Sequence, residues 1–103
     1  MKMIYCSCNI SVLEQVVEII DSFQIHDYQI FDQVLSRNRL ADPRLNTAVW
    51  PGYNASLILH VREQEKANQL MQKLRDFNRS ATNVSEVLTA CSWTIDDYTY
   101  DQS

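Results

Sequence analysis

Apolar positions along this chain alternate between two spacings, and each change of spacing marks a new element. Residues 2–8 carry β-branched, aromatic and cysteine side chains and predict a first strand. From Val12 onward, Val12, Leu13, Val16, Val17, Ile19, Ile20 and Phe23 form one face of a helix. Ser11 and Glu14, three residues apart, form a capping-box pattern at its start, which would satisfy two backbone donors a helix leaves unpaired. Residues 28–37 predict a long second strand, with Ile30 and Val34 on one side and Phe31 and Leu35 on the other. Periodicity then vanishes over residues 38–53, where Pro43, Pro51 and Gly52 mark a loop. A loop this long in a small domain is usually a functional or mobile segment.

Order returns through Trp50-Pro51-Gly52-Tyr53-Asn54, whose Pro-Gly pair suits a type II turn. Residues 54–61 predict a third strand with Leu57, Ile58 and Leu59 in sequence. Residues 63–77 predict a second helix with Ala67, Leu70, Met71, Leu74 and Phe77 on one face. Glu63 and Glu65 near its start and Lys73 and Arg75 near its end complement the helix dipole. A polar link, residues 78–83, leads into a fourth strand over residues 84–95. The order strand-helix-strand-strand-helix-strand predicts an α+β, ferredoxin-like βαββαβ domain over residues 1–95. Its four-stranded sheet would be antiparallel with both helices on one face, and residues 96–103 would form an acidic C-terminal tail.

A monomer of this design should be polar on the sheet face the helices leave open. Yet neighbouring strand residues of both parities are apolar: Ile4 and Tyr5, Ile30 and Phe31, Leu57 and Ile58, Val87 and Leu88. A second copy of the chain is the simplest cover for that face, so a homo-oligomer is expected.

Composition narrows the function class. The 103 residues are 46% apolar and 21% charged with a net charge of −4, which suits one globular domain and no nucleic-acid partner. No apolar run nears the ~20 residues needed to span a bilayer. The N-terminus turns polar by Cys6 to Asn9, unlike a secretory signal, so a cytoplasmic location without membrane insertion is expected. In that compartment three cysteines should be thiols, and the four Asn-x-Ser triplets starting at Asn9, Asn54, Asn78 and Asn83 should be chance matches to a glycosylation signal.

Several side chains could carry chemistry. Cys6 and Cys8 alternate on one strand and so share a face, about 7 Å apart by strand rise. With Cys91 as a third ligand they could hold a soft metal, or all three could be small buried hydrophobes. Spacing ties neither His26 nor His60 to that set, and His60 suits a core or interface position. Arg37, Arg39 and Arg44 could hold a carboxylate or phosphate, or lie in a solvated loop. Trp50 could stack on a ring or anchor the loop's return, and Asp96, Asp97 and Asp101 could take a hard cation or stay solvated. No nucleophile elbow, phosphate-binding loop or metal-binding helix motif is present, so the chain reads as no enzyme and as having no cofactor.

The span from Lys2 to about Ile95 resembles the trimeric PII and PII-like signalling proteins. The likeness lies in the element order, the Met3-Ile4-Tyr5 opening into a helix with Val16, Val17 and Ile20, and the long loop between the second and third strands. The loop's close on Trp50-Pro51-Gly52-Tyr53-Asn54 is similar to that of divergent PII-like branches. The resemblance implies a trimer with inward-facing sheets and small-molecule or anion effector sites in the clefts between subunits. On this chain those sites would draw on Arg37, Arg39, Trp50, Pro51, Gly52, Asn54 and Arg79. It also implies that the loop 38–53 changes conformation and touches a target protein, such as a transporter or enzyme.

One motif departs from that pattern. The glycine-rich, basic turn of nucleotide-binding PII proteins is here Arg79-Ser80-Ala81-Thr82-Asn83, without glycine, and a phosphate cradle of backbone amides generally needs one. The tyrosine-bearing modification motif of the typical PII loop is also missing. The Tyr5-Cys6-Ser7-Cys8 opening resembles, second, the trimeric CutA proteins, although their paired tryptophans and His-Pro-Tyr run are absent. Two alternatives to the regulator therefore stand: a thiolate metal-binding trimer using Cys6, Cys8 and Cys91, and a structural trimer without a ligand.

Overall fold

The computed structural model describes residues 1–99. Its strands are β1 (Lys2–Asn9), β2 (Tyr28–Val34), β3 (Asn54–Val61) and β4 (Thr89–Thr94), and its helices are α1 (Leu13–Ser22) and α2 (Gln64–Ser80). The strands form one antiparallel sheet in the order β2-β3-β1-β4. With an α-helix following each of β1 and β3, this is the expected α+β ferredoxin-like arrangement.

Alternation along the strands decides which side chains meet the helices. Ile4, Cys6 and Cys8 of β1 and Ala55, Leu57, Leu59 and Val61 of β3 are buried on one side of the sheet. They pack against Val16 and Ile20 of α1 and Ala67, Leu70 and Leu74 of α2, positions that helical spacing had already placed on one face. The register puts Met3, Tyr5 and Ser7 of β1 beside His60, Ile58 and Ser56 of β3 on the other side. Cys91 and Trp93 of β4 continue the same rows.

That second face divides into two halves. Met3, Tyr5, Ile58, Cys91 and Trp93 make one half largely apolar, and Trp93 is 46% exposed. Ser7, Asn9, Asn54, Ser56 and Thr89 make the other half polar. Phe31 of β2 stands beside Ser56 and is 48% exposed. At the apolar end the chain returns on itself after β4. Tyr98 meets the His60 ring edge-on with centroids 4.8 Å apart, so part of the tail expected at 96–103 lies on the sheet. Residues 100–103 of that tail lie outside the described residues.

Four local expectations change. Ser11 does not cap the first helix: it lies in a short 3₁₀ turn, Ile10–Val12, and its backbone N–H donates to the Asn9 Oδ1 at 3.1 Å. The asparagine takes the capping role one turn earlier. The second strand stops at Val34, because Ser36 pairs with Arg44 across the loop instead of continuing along β3. The second helix runs one turn past Phe77, to Ser80. The fourth strand begins at Thr89, not residue 84, because Asn83 accepts a hydrogen bond from the Ser85 N–H at 2.9 Å and opens a 3₁₀ turn, Val84–Glu86. Leu88 is accordingly a buried residue ahead of the strand, and Val87 belongs to the turn's exit.

Candidate functional site

The loop between β2 and β3, residues 35–53, is held at its middle. Ser36 and Arg44 exchange backbone hydrogen bonds of 2.9 and 2.8 Å, which closes a first arch. Within it the Asn38 side chain accepts from the Leu40 and Ala41 N–H groups at 2.8 and 3.1 Å. A second arch returns to β3. There Leu45 and Thr47 donate to the Trp50 carbonyl at 3.2 and 3.0 Å, and Asn46 donates to the Gly52 carbonyl at 2.8 Å. Gly52 has φ +83°, in the left-handed region that a residue without Cβ enters freely.

Arg44 links this loop to the domain. Its side chain is buried, with Nη1 donating to the Asn54 Oδ1 and Nη2 to the Ser85 carbonyl, both at 2.8 Å. Asn9 Nδ2 donates to the same Ser85 carbonyl at 3.3 Å. Asn54 is also buried, and its Nδ2 donates to the Ser7 Oγ at 3.1 Å. Both partners of the guanidinium are neutral. Among the described residues no carboxylate lies within ion-pairing distance of it. A buried cation with no counter-charge is an unusual arrangement, since buried charges are normally paired.

Beside Arg44 opens a cleft of about 470 Å³. One wall is the loop, with Asp42, Pro43, Val49, Trp50 and Pro51; the other is Asn83, Val84 and Ser85 at the start of the 3₁₀ turn. Trp50 is 40% exposed and Val49 74% exposed at its rim. The cleft can thus offer one guanidinium, an aromatic edge and backbone groups of a tight turn.

The residues expected at the site do not all gather here. Trp50 and Pro51 line the cleft, and Asn54 reaches it through Arg44. Gly52 shapes the turn behind them. Arg37 and Arg39 are exposed on the first arch, outside the cleft lining. Arg79 sits at the end of α2, ion-paired with Asp76 at 3.1 Å. Arg44 is the arginine that the fold selects, and burial distinguishes it from its two neighbours. Asn83 and Ser85 were not expected in the site. Their Asn-x-Ser spacing suits an Asx turn, but the same spacing at Asn54 and Asn78 opens none, so it would not have singled them out.

The cysteines split between the two sides of the sheet. Cys6 and Cys8 face the helices, whereas Cys91 stands opposite Tyr5 on the other side and is exposed. Burial pushes the Cys6 thiol up to about 12, helped by the neighbouring Cys8. It pushes Cys8 up to about 11, with the Arg44 charge pulling in the other direction. Neutral thiols so placed are core side chains, and the three sulfurs do not converge on one ligand position.

This fold, a four-stranded sheet with two helices on one face and a long β2–β3 loop, is similar to that of solved PII-like signalling proteins. A protein from Thermus thermophilus described as PII-like and signalling is similar to this chain with a TM-score of 0.61 and 17% identity. The match covers 89% of this chain and 83% of that one. CPII from Thiomonas intermedia K12, a nitrogen regulatory PII-like protein, matches in its apo form with a TM-score of 0.62 and 15% identity. That match covers 91% of this chain and 89% of the other. CPII bound to ADP and bicarbonate matches with a TM-score of 0.66 and 11% identity, over 93% and 88% of the two chains. No protein-family model matches the sequence, and no curated protein matches it. Among the described residues no helix is long and apolar enough to cross a membrane.

Proposed function

We propose that this chain is a non-enzymatic, cytoplasmic regulator of the PII-like kind. Three copies pack around their open sheet faces, each binds a small effector beside its β2–β3 loop, and the loop carries the bound state to a target protein. The observation that carries the reading is Arg44, a buried guanidinium at the wall of an open cleft with no carboxylate at ion-pairing distance among the described residues. An anionic group entering the cleft would supply the missing charge, and guanidinium is well matched to carboxylates and oxyanions. In an assembly, Arg37, Arg39 and Arg79 would add to the site from the cleft's surroundings. The solved neighbour that holds ADP and bicarbonate supports an effector role for this architecture.

The glycine-free stretch from Arg79 to Asn83 favours a small anion over the phosphate chain of a nucleotide. Isothermal titration with phosphate, bicarbonate, AMP and ADP tests the reading. Saturable binding of at least one, weakened by Trp50→Ala, is expected. No binding by any of the four, or binding that Trp50→Ala leaves unchanged, would overturn the assigned cleft. Light scattering tests the assembly separately, with three times the chain mass as the expected value.

A further inference from the structure

Between the cleft and the open sheet face runs a chain of three side chains, Arg44, Asn54 and Ser7, joined by hydrogen bonds of 2.8 and 3.1 Å. We infer that Arg44, acting through Asn54, sets the hydrogen-bonding polarity that Ser7 presents to a second copy of the chain. The inference rests on the proposed packing of copies through the open face.

The polarity follows from the chemistry of the three groups. A guanidinium has donors only, so the Asn54 carbonyl oxygen must face Arg44. The amide is planar, and its other end, the NH₂, is then turned toward Ser7. Ser7 must therefore accept with its oxygen, and its own O–H hydrogen is directed away from Asn54. Among the described residues no further side chain takes that hydrogen. Ser56, its neighbour in β3, pairs with the Tyr5 hydroxyl at 2.9 Å and not with Ser7. Ser7 consequently stands in the polar half of the open face as a hydrogen-bond donor seeking an acceptor.

This places the cleft and the packing surface in one unit. A ligand that draws the guanidinium off Asn54 leaves the amide free to turn over. Its oxygen would then face Ser7, whose hydroxyl would donate inward and show the partner a lone pair instead of a hydrogen. A contact built for a donor becomes a contact between two acceptors. By the reciprocity of linked equilibria, packing of copies would in turn weaken binding of such a ligand.

Asn54→Asp reverses the relay with almost no change of shape. A carboxylate has no donor, so Ser7 must donate to it, while Arg44 gains an ion pair that protects the fold. Sedimentation equilibrium on the full chain should show Asn54→Asp weakening self-association by about tenfold, the worth of one interfacial hydrogen bond. The same substitution in a Ser7→Ala background should produce no further weakening. Unchanged association in Asn54→Asp overturns the relay. So does equal weakening with and without Ser7, since that would be a plain effect of the added charge. Both outcomes leave the assembly itself standing. A wild-type chain that stays monomeric at every concentration instead removes the assembly, and the relay with it.

Discussion

Asn78 and Leu88 exchange two hydrogen bonds, the side-chain Nδ2 donating to the Leu88 carbonyl and the Leu88 N–H donating to the Asn78 Oδ1, both at 2.9 Å. An amide side chain here does what a neighbouring strand would do. It pins the last turn of α2 to the segment entering β4, and Leu88 is buried beneath the clamp.

Asn78→Ala is therefore expected to destabilise the domain by about 2 kcal/mol, the sum of two ordinary hydrogen bonds. Asn78→Asp keeps the acceptor but sets a carboxylate oxygen against the Leu88 carbonyl, so it should recover little of that loss. Urea unfolding followed by circular dichroism gives both values.

Arg44→Met should cost about 2–3 kcal/mol, because the Asn54 Oδ1 and the Ser85 carbonyl each lose a strong donor. Arg44→Lys should recover only part of this, since one ammonium lacks the fork that reaches both acceptors at once. The melting temperatures of the two variants, measured at one protein concentration, rank them.

The thiols set a limit on the alkaline side. The folded Cys6 and Cys8 stay protonated up to about 12 and about 11, while an exposed thiol ionises near 9.0. Above that lower value the unfolded chain releases protons that the folded chain retains. Stability is thus complete below about pH 9 and declines as pH rises toward 11–12. The slope of melting temperature against pH in this window should shrink in Cys8→Ala. At pH 8 a thiol reagent should leave Cys6 and Cys8 unlabelled in the native protein and reach both after unfolding.

Phe31→Ser and Trp93→Ser remove the two largest exposed ring systems on the open face. If copies pack there, each substitution should shift mass from oligomer to monomer in sedimentation velocity while the helical circular dichroism signal stays unchanged. An unaltered oligomer in both variants would place the contact elsewhere.

How far the sequence foretold this varies from residue to residue. Residues 54–61 form β3 as expected, because a run of apolar and β-branched side chains bounded by a Pro-Gly turn has few other solutions. The helix faces were equally legible, since Val16, Ile20, Leu70 and Leu74 follow a period that the backbone alone imposes. Side-chain amides were not legible. Asn9, Asn54, Asn78 and Asn83 each begin an Asn-x-Ser triplet, yet two open 3₁₀ turns, one receives Arg44 and one clamps Leu88. Those roles depend on partners distant in sequence or on turns that compete with the strand period. The opposite placement of Cys91 and Cys6 has a similar cause: it depends on the register of β4 against β1, which no spacing within either strand determines. Arg44 differs from Arg37 and Arg39 only in what folds over it.

The hydrogen bonds between Ser36 and Arg44 also decide where this chain could accept foreign sequence. They isolate residues 37–43 as a short hairpin-like excursion whose two ends are already joined. A peptide tag or a small domain spliced between Arg37 and Asn38, ahead of the Asn38 turn and outside the cleft lining, would lengthen a closed excursion, and entropy penalises such lengthening only slowly. The same graft between Leu45 and Gly52 would part Trp50 and Gly52 from the backbone donors they receive, and the cleft wall would go with them. A fluorescent reporter of the loop's state therefore belongs in the first excursion.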